Sequence, residues 1–367
     1  MHYHIMVTDH CNLQCRYCYQ KSVEDAEIDS GFTVRCVNSS VFDVDINRLK
    51  MFLEKDCHPV IIFYGGEPLL EIGVITGIMD GLEGMDIPFR MQTNGLLLHR
   101  LPQEYVKRIG KILVSLDGDN QRTDLNRGKG VYNKVLKNIS VIKNWYPGEI
   151  IGRMTIAQDC PDIFEQVVNV LENFSSVHWQ LDAGFYYSDF DEYIFSEFVA
   201  EYNKGISRLV EYWVNTMKTG NVLRLYPFLG VMHSLLFNEN SLLRCGAGHA
   251  GYCIGTDGVI VACPITNYLK DFVAGTVDMH PEDLKKFAVS GRCLECDIKS
   301  MCGGRCLYWN KGRLWPERGD DLICDSVHHL VKELQSVKPE ISLLIDKKII
   351  KKSDFVYEKY FGPEIIP

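Results

Sequence analysis

Cysteine placement constrains this chain more than any other feature. Cys11, Cys15 and Cys18 stand at C-x3-C-x2-C within Thr8–Tyr19, directly after the short apolar run His2–Thr8. Thiolates so close along one loop can share a single metal centre. A cubane iron–sulfur cluster is normally held by four Cys thiolates, so three would leave one iron for another ligand. The C-x2-C half also suits a zinc knuckle, and the spacing alone leaves both metals open. The other cysteines are not scattered: of fourteen, eight fall between Cys245 and Cys324, and Cys36, Cys57 and Cys160 stand apart. Clustered cysteines in a cytoplasmic chain point to metal or catalysis, because disulfides are rare there. The three isolated ones are expected to behave as small buried apolar residues.

A chain of 367 residues has room for two domains, or for one large barrel with an appendage. Its net charge of −9 provides no general basic surface, which argues against unspecific nucleic-acid binding. No apolar run is long enough to span a bilayer, and the cysteine loop begins too early for a signal peptide. The expected location is the cytoplasm, with no membrane and no nucleic-acid partner.

After the first apolar run, residues 21–43 read as an irregular loop and Asp45–Lys55 as a helix by its apolar spacing. Strands are expected at Val60–Tyr64, Phe89–Thr93, Ile112–Leu116, Ile151–Ile156 and Val177–Asp182, with helices between them, among them Gln103–Arg108, Val131–Trp145 and Asp162–Phe174. Such alternation indicates βα units on a parallel sheet, and six are countable. Four strands end in polar, glycine-containing or chemically distinctive stretches: the cysteine loop, Gly65-Gly66-Glu67-Pro68, Gln92-Thr93-Asn94-Gly95 and Ser115-Leu116-Asp117-Gly118. Any one could be a simple turn, but barrel enzymes place active-site loops at the carboxyl ends of their strands.

In that order, with Tyr17 just before the third cysteine, these motifs resemble those of the radical S-adenosylmethionine (SAM) enzymes, over about the first 215 residues. The resemblance implies a partial (β/α)6 TIM-type barrel. It implies a [4Fe–4S] cluster on Cys11, Cys15 and Cys18, whose fourth iron is chelated by SAM, and reductive cleavage to a 5′-deoxyadenosyl radical. It further implies that Gly65, Gly66, Glu67 and Pro68 approach the SAM amino group, glycine permitting this because it lacks a Cβ. Ser115 would lie near the SAM ribose or carboxylate, Lys137 is a candidate cation for that carboxylate, and Tyr17, Thr93, Asn94 and Asp117 complete the cofactor-binding set. Arg153, inside an otherwise apolar strand, either marks an exposed strand edge or meets an anion in the barrel, since an unpaired buried Arg is costly. Asp182, ending the sixth strand, is a substrate contact or a loop cap.

Past the helical stretch Tyr193–Lys218 and a helical linker over 216–244, residues 245–324 carry Cys245, Cys253, Cys263, Cys293, Cys296, Cys302, Cys306 and Cys324. With Gly258 before Cys263, this string resembles the seven-cysteine SPASM extension, Cys253 being additional. That resemblance implies two auxiliary [4Fe–4S] clusters in a small cysteine-rich domain. Cys245, Cys253, Cys263 and Cys306 would hold one, and Cys293, Cys296, Cys302 and Cys324 the other. Eight thiolates would equally serve two zinc sites. Gly255, Asp257 and Gly258 read as a hairpin turn that brings Cys253 toward Cys263. In 325–367, Val327, Leu330, Val331 and Leu334 suggest a helix ending before Pro339, and the tail Tyr360–Pro367 is expected to pack back on the barrel.

The resemblance points to hydrogen abstraction from a peptide or protein substrate, with a one-electron reductant such as ferredoxin or flavodoxin as partner. Oxidation or a C–C or C–S cross-link is favoured, because auxiliary clusters give a surplus electron somewhere to go. Sulfatase-maturing chemistry is an alternative. In those relatives an Asp base follows the cysteine that matches Cys263, where this chain has Pro264. A non-catalytic iron–sulfur electron carrier is another. With ten residues before Cys11, peptide recognition by an N-terminal domain of this chain is not expected, nor is a cobalamin-binding region.

Overall fold

The computed structural model describes residues 1–19, 31–185, 190–362 and 366–367. Part of the expected 21–43 loop and part of the tail lie outside those residues. Among the described residues ten strands run in chain order: β1 His2–Met6, β2 Val60–Tyr64, β3 Phe89–Thr93, β4 Ile109–Ser115, β5 Glu149–Ile156, β6 Ser176–Leu181, β7 Arg224–Leu225, β8 Gly251–Ile254, β9 Val259–Val261 and β10 Val273–Thr276. The chain divides into two compact units, residues 1–152 with 246–288, and residues 153–245 with 289–367.

In the first unit the strand order is β10-β9-β8-β1-β2-β3-β4. β1, β2, β3 and β4 pair in parallel, with Met6 opposite Tyr64 and Thr93 opposite Val114, so their carboxyl ends share one edge. Burial explains the apolar runs: Ile61, Ile62 and Phe63 are fully buried although their side chains alternate between faces, as in a parallel strand covered on both sides. Each such side chain contributes about 1.5–3 kcal/mol. β8 lies parallel to β1 with Cys253 opposite His4, and the expected hairpin is present, Cys253 facing Val261 on β9. Gly255 and Gly258 close its turn. Residues 246–288 of the second cysteine field are thereby built onto the β1 edge of this unit's sheet.

In the second unit β6 lies between β7 and the part of β5 from residue 153 onward. Its long helices are Ile163–Asn173, Glu192–Met217, Tyr226–Phe237 and Glu317–Asp346. The last of these overturns the expectation of a stop before Pro339, which lies inside it. Proline forfeits one backbone hydrogen bond, but Ile341 and Leu344 continue the buried face of Val327, Leu330, Val331 and Leu334, and that burial carries the helix through. The stretch read as a linker holds the helix Tyr226–Phe237, buried on every side from Tyr226 to Ser234, the mark of a core helix. The described part of the tail packs within this unit, Phe361 lying 5.9 Å from Tyr226 in the stretch read as a linker. Among the described residues no helix is long and apolar enough to cross a membrane.

Candidate functional site

The first site is the loop that follows β1, and its backbone is fastened strand end by strand end. Thr8 Oγ1 donates to Ser40 O at 2.9 Å, Gly66 N–H to Thr8 O at 2.8 Å and Glu67 N–H to His10 O at 2.8 Å. A Cβ on Gly65 would stand 2.3 Å from Thr8 O, and one on Gly66 2.3 Å from His10 O. Gly65 also has φ +152°, where L side chains are strained. Both glycines therefore admit the cysteine-loop backbone.

Glu67 is likewise committed within the protein. Its carboxylate is fully buried and accepts from Leu69 N–H at 3.1 Å, Thr93 Oγ1 at 2.7 Å and Asn94 N–H at 2.7 Å. Burial pushes its pKa up to about 7 despite those donors. The side chain is a strut between the ends of β2 and β3, and Pro68 opens the turn after it. Asn94 extends the strut to the loop, donating from Nδ2 to Asn12 Oδ1 at 2.7 Å.

At β4 the fastening is ionic. Asp117 has no exposure and is gripped by Arg127 through Nε at 2.9 Å and Nη2 at 2.8 Å, with Asn126 Nδ2 at 3.3 Å. Tyr17 donates its hydroxyl to the same carboxylate, the Arg127 guanidinium lies 5.3 Å from the Tyr17 ring, and Arg16 N–H donates to Asn126 O at 3.0 Å. Arg127 also approaches Cys15, where it opposes the upward pull of burial on the thiol. Asp117 is thus a brace for the cysteine loop, already satisfied within the protein.

Cys11, Cys15 and Cys18 form no disulfide, and the thiols beside them add to the upward shift of Cys11 and Cys15. Burial pushes Cys11 up to about 11, so a metal has to displace the proton. Cys18 N–H donates to Cys15 O at 3.1 Å, which closes the turn that sets the two side by side. Three soft thiol donors, with a braced backbone beneath them, fit an iron–sulfur cluster with one iron open.

Ser115 is half-buried at the end of β4, and Lys137 is exposed on the helix Val131–Lys143; neither is bonded into the network that ties the loop to the strand ends. Arg153 belongs to the second unit. It is 9% exposed, donates from Nη2 to Gln180 Oε1 at 2.9 Å and from Nη1 to Gly362 O at 3.2 Å, and lies 3.3 Å from His178 Nδ1. The strand is buried at that point, and Gln180, His178 and Gly362 are among the groups that the guanidinium meets there. Asp182 N–H donates to Ile156 O at 2.9 Å.

Sequence reading missed Arg127, Asn126 and Asn12. The helix that carries the first two, Asn120–Arg127, buries Arg122, Thr123, Asn126 and Arg127, a polar face that apolar periodicity does not register. The isolated cysteines correct a second expectation: Cys36 and Cys57 are exposed and Cys160 half-buried. Cys57 lies in the bend after the helix Ile46–Leu53, open to solvent.

In the second unit Cys293, Cys296, Cys302 and Cys324 line one largely apolar cavity, with Ile298, Arg305, Trp309, Ile323, Val327 and His328. Asn310 Nδ2 donates to Cys293 Sγ at 3.4 Å, and His328 Nε2 lies 3.7 Å from Cys296 Sγ. The structure brings together the four residues that the interleaved assignment gives to one auxiliary cluster, and four converging thiols fit it. Of the other set, Cys253 and Cys263 belong to the first unit and Cys245 and Cys306 to the second.

Residues 5–156 match the family model "Radical SAM superfamily". Over 324 residues the chain is 22% identical to the cysteine-type anaerobic sulfatase-maturating enzyme of Clostridium perfringens (strain 13 / Type A), covering 81% of this chain and 85% of that protein. Over 330 residues it is 23% identical to the radical SAM cyclopropyl synthase TigE of Paramaledivibacter caminithermalis, covering 83% and 67%. Among solved structures it is similar to native anSMEcpe with bound AdoMet and Cp18Cys peptide, with TM-score 0.70, 19% identity, and 93% and 99% of the two chains covered. That likeness establishes the α/β fold with its parallel-rich partial barrel. Iron–sulfur and SAM are the cofactors of this fold's radical chemistry, and the three-thiol loop fits them. By its matched residues, its strand-end motifs and its fold, the chain carries a radical SAM domain across residues 5–156.

Proposed function

We propose that the protein modifies a peptide or protein substrate, giving an oxidised residue or a C–C or C–S cross-link. The observation that carries this is the braced three-thiol loop: Cys11, Cys15 and Cys18 stand on a backbone tied to the ends of β2, β3 and β4. The chemistry supplied by a bound cluster and SAM is one-electron cleavage of the sulfonium and removal of hydrogen from a C–H bond. This chain's part is positional. Gly65, Gly66, Glu67 and Pro68 set the loop against β2; Thr93 and Asn94 hold Glu67; Asp117 and Arg127 hold Tyr17. Ser115 and Lys137 are assigned to the SAM ribose and carboxylate, and Arg153 to orienting the second unit's strands and tail.

Eight further cysteines, four lining one cavity, favour oxidation or cross-linking, since both leave an electron to remove. The named activities of the relatives support a peptide substrate. Sulfatase-type oxidation of Ser or Cys is disfavoured by Pro264, which opens a helical turn directly after Cys263. The reading includes a cytoplasmic location, a one-electron donor of the ferredoxin or flavodoxin kind, and no nucleic-acid or membrane partner.

Anaerobically loaded protein incubated with SAM and dithionite should release 5′-deoxyadenosine, and a co-expressed partner peptide should lose two hydrogen atoms by mass spectrometry. Zinc in place of iron and sulfide, or no nucleoside, would overturn the reading. An unchanged peptide mass with altered stereochemistry would replace oxidation by epimerisation.

A further inference from the structure

Arg305 stands in Cys302-Gly303-Gly304-Arg305-Cys306 with a left-handed backbone, φ 55°. Its side chain is 2% exposed and lines the cavity of Cys293, Cys296, Cys302 and Cys324. The guanidinium lies 5.8 Å from the Phe185 ring and 5.7 Å from the Trp309 ring. One of its N–H groups donates to Ala183 O at 3.4 Å, while Nε is buried with no hydrogen-bond partner. Among the described residues it forms no ion pair with a carboxylate, and the ionisable groups that act on it most are Cys306, Cys302 and Cys324.

This departs from the other buried arginines that reach a carboxylate. Arg127 is matched by Asp117, and Arg35 by Asp257 at 2.7 Å. Burying a guanidinium without a counter-ion costs several kcal/mol, and an orphaned Nε–H adds the desolvation of an unmade hydrogen bond. Lys299, the other cation on the cavity wall, is only half-buried and reaches solvent, so the uncompensated charge is that of Arg305; a cavity walled by thiols and a buried guanidinium without a counter-ion is balanced only when it holds an anion. A [4Fe–4S] centre with four thiolates is an anion in both its oxidised and its reduced state, and it gains one more negative charge on reduction.

We propose that Arg305 is the counter-charge of the cluster held by Cys293, Cys296, Cys302 and Cys324, and that it raises the reduction potential of that cluster. This rests on the ligand set proposed above. The sign follows from electrostatics: a fixed positive charge stabilises the more negative, reduced form more than the oxidised form, and an N–H bond to cluster sulfur acts in the same direction. The cluster is thereby suited to accept one electron from a substrate radical as the substrate's proton leaves, the step that turns hydrogen abstraction into net oxidation.

The test uses the anaerobically loaded full chain with Arg305→Met, which removes the charge and keeps an apolar side chain, and Arg305→Lys, which keeps the charge. Iron and sulfide are counted per chain, and potentials are read by EPR-monitored redox titration. With Met, one auxiliary couple should move to lower potential by at least tenfold in its reduction equilibrium, about 59 mV for one electron. Lys should recover most of that shift. If Met fails to hold the cluster and Lys holds it, the counter-charge role is supported by loading itself. Full iron with an unmoved or raised potential in Arg305→Met would overturn the proposal, as would equal loss of iron in both variants. Cys302→Ser separates the two readings: iron and sulfide unchanged there would show that the ligand set is wrong, whatever the arginine variants do.

Discussion

The two cysteine sites treat their buried cation in opposite ways. At the first, Arg127 is neutralised by Asp117 and the pair serves as a brace between β4 and the cysteine loop. At the second, Arg305 shares a cavity with four thiols and, among the described residues, pairs with no carboxylate. A site whose charges cancel within the protein keeps its shape whether or not it is loaded, as befits a cluster that must leave one iron open to an exchangeable ligand. A site with an uncancelled charge leaves the balancing to what it binds. The difference assigns a mechanical task to Arg127 and an electrical one to Arg305.

The comparison breaks most visibly at the thiols. Cys15→Ala should lower 5′-deoxyadenosine formation by at least about a thousandfold, roughly 4 kcal/mol in barrier, while the auxiliary iron stays. Cys296→Ala should lose auxiliary iron and still cleave SAM. Equal loss of SAM cleavage in the two variants, measured by chromatography, would merge the sites that the structure separates.

Next in size is the brace. Asp117→Ala leaves Arg127 buried and unpaired, which should destabilise the metal-free chain by about 3–5 kcal/mol, read from urea unfolding. The double variant Asp117→Leu with Arg127→Met should recover most of that loss. A brace that merely decorates the surface of the loop would show neither effect.

The smallest effect is a pH dependence confined to the first site. Glu67 has its pKa raised from 4.5 to about 7 by burial, so the folded state holds a proton that the unfolded state releases. Its contribution to stability is fully present below the unfolded value, is lost as pH rises from about 4.5 through 7, and is constant above that. Relative to Glu67→Gln, the wild-type chain should therefore lose at most about 3 kcal/mol across that window. A difference between the two proteins that grows as pH falls below 4.5 would contradict the strut.

Much of this was legible from residues alone because the relevant signals are local. Val60–Tyr64 and Phe89–Thr93 were readable as strands to the residue, the first as an apolar run, the second as an alternation of buried Phe89, Met91 and Thr93 with half-buried Arg90 and Gln92, each with turn residues after it. The helix Asn120–Arg127 was not, because the face it buries is polar. Pro339 misled for the converse reason: a local helix breaker was outweighed by apolar contacts along a buried face that resumes at Ile341. The glycines of Gly65-Gly66 were conspicuous in the sequence, yet the Thr8 and His10 carbonyls that require them lie more than fifty positions away in sequence.

The sequence by itself determined which donors the chain owns and in what order: three thiols on one strand end, eight more in a late field, and polar motifs closing successive strands. Spacing along a chain fixes such things because neighbours in sequence stay within a few ångströms. Only the tertiary structure decided which charges cancel. Asp117 and Arg127 meet across a helix, and Arg305 meets thiols and aromatic rings but, among the described residues, no carboxylate, and electrostatic balance in a buried site depends on distances through space that no local pattern encodes.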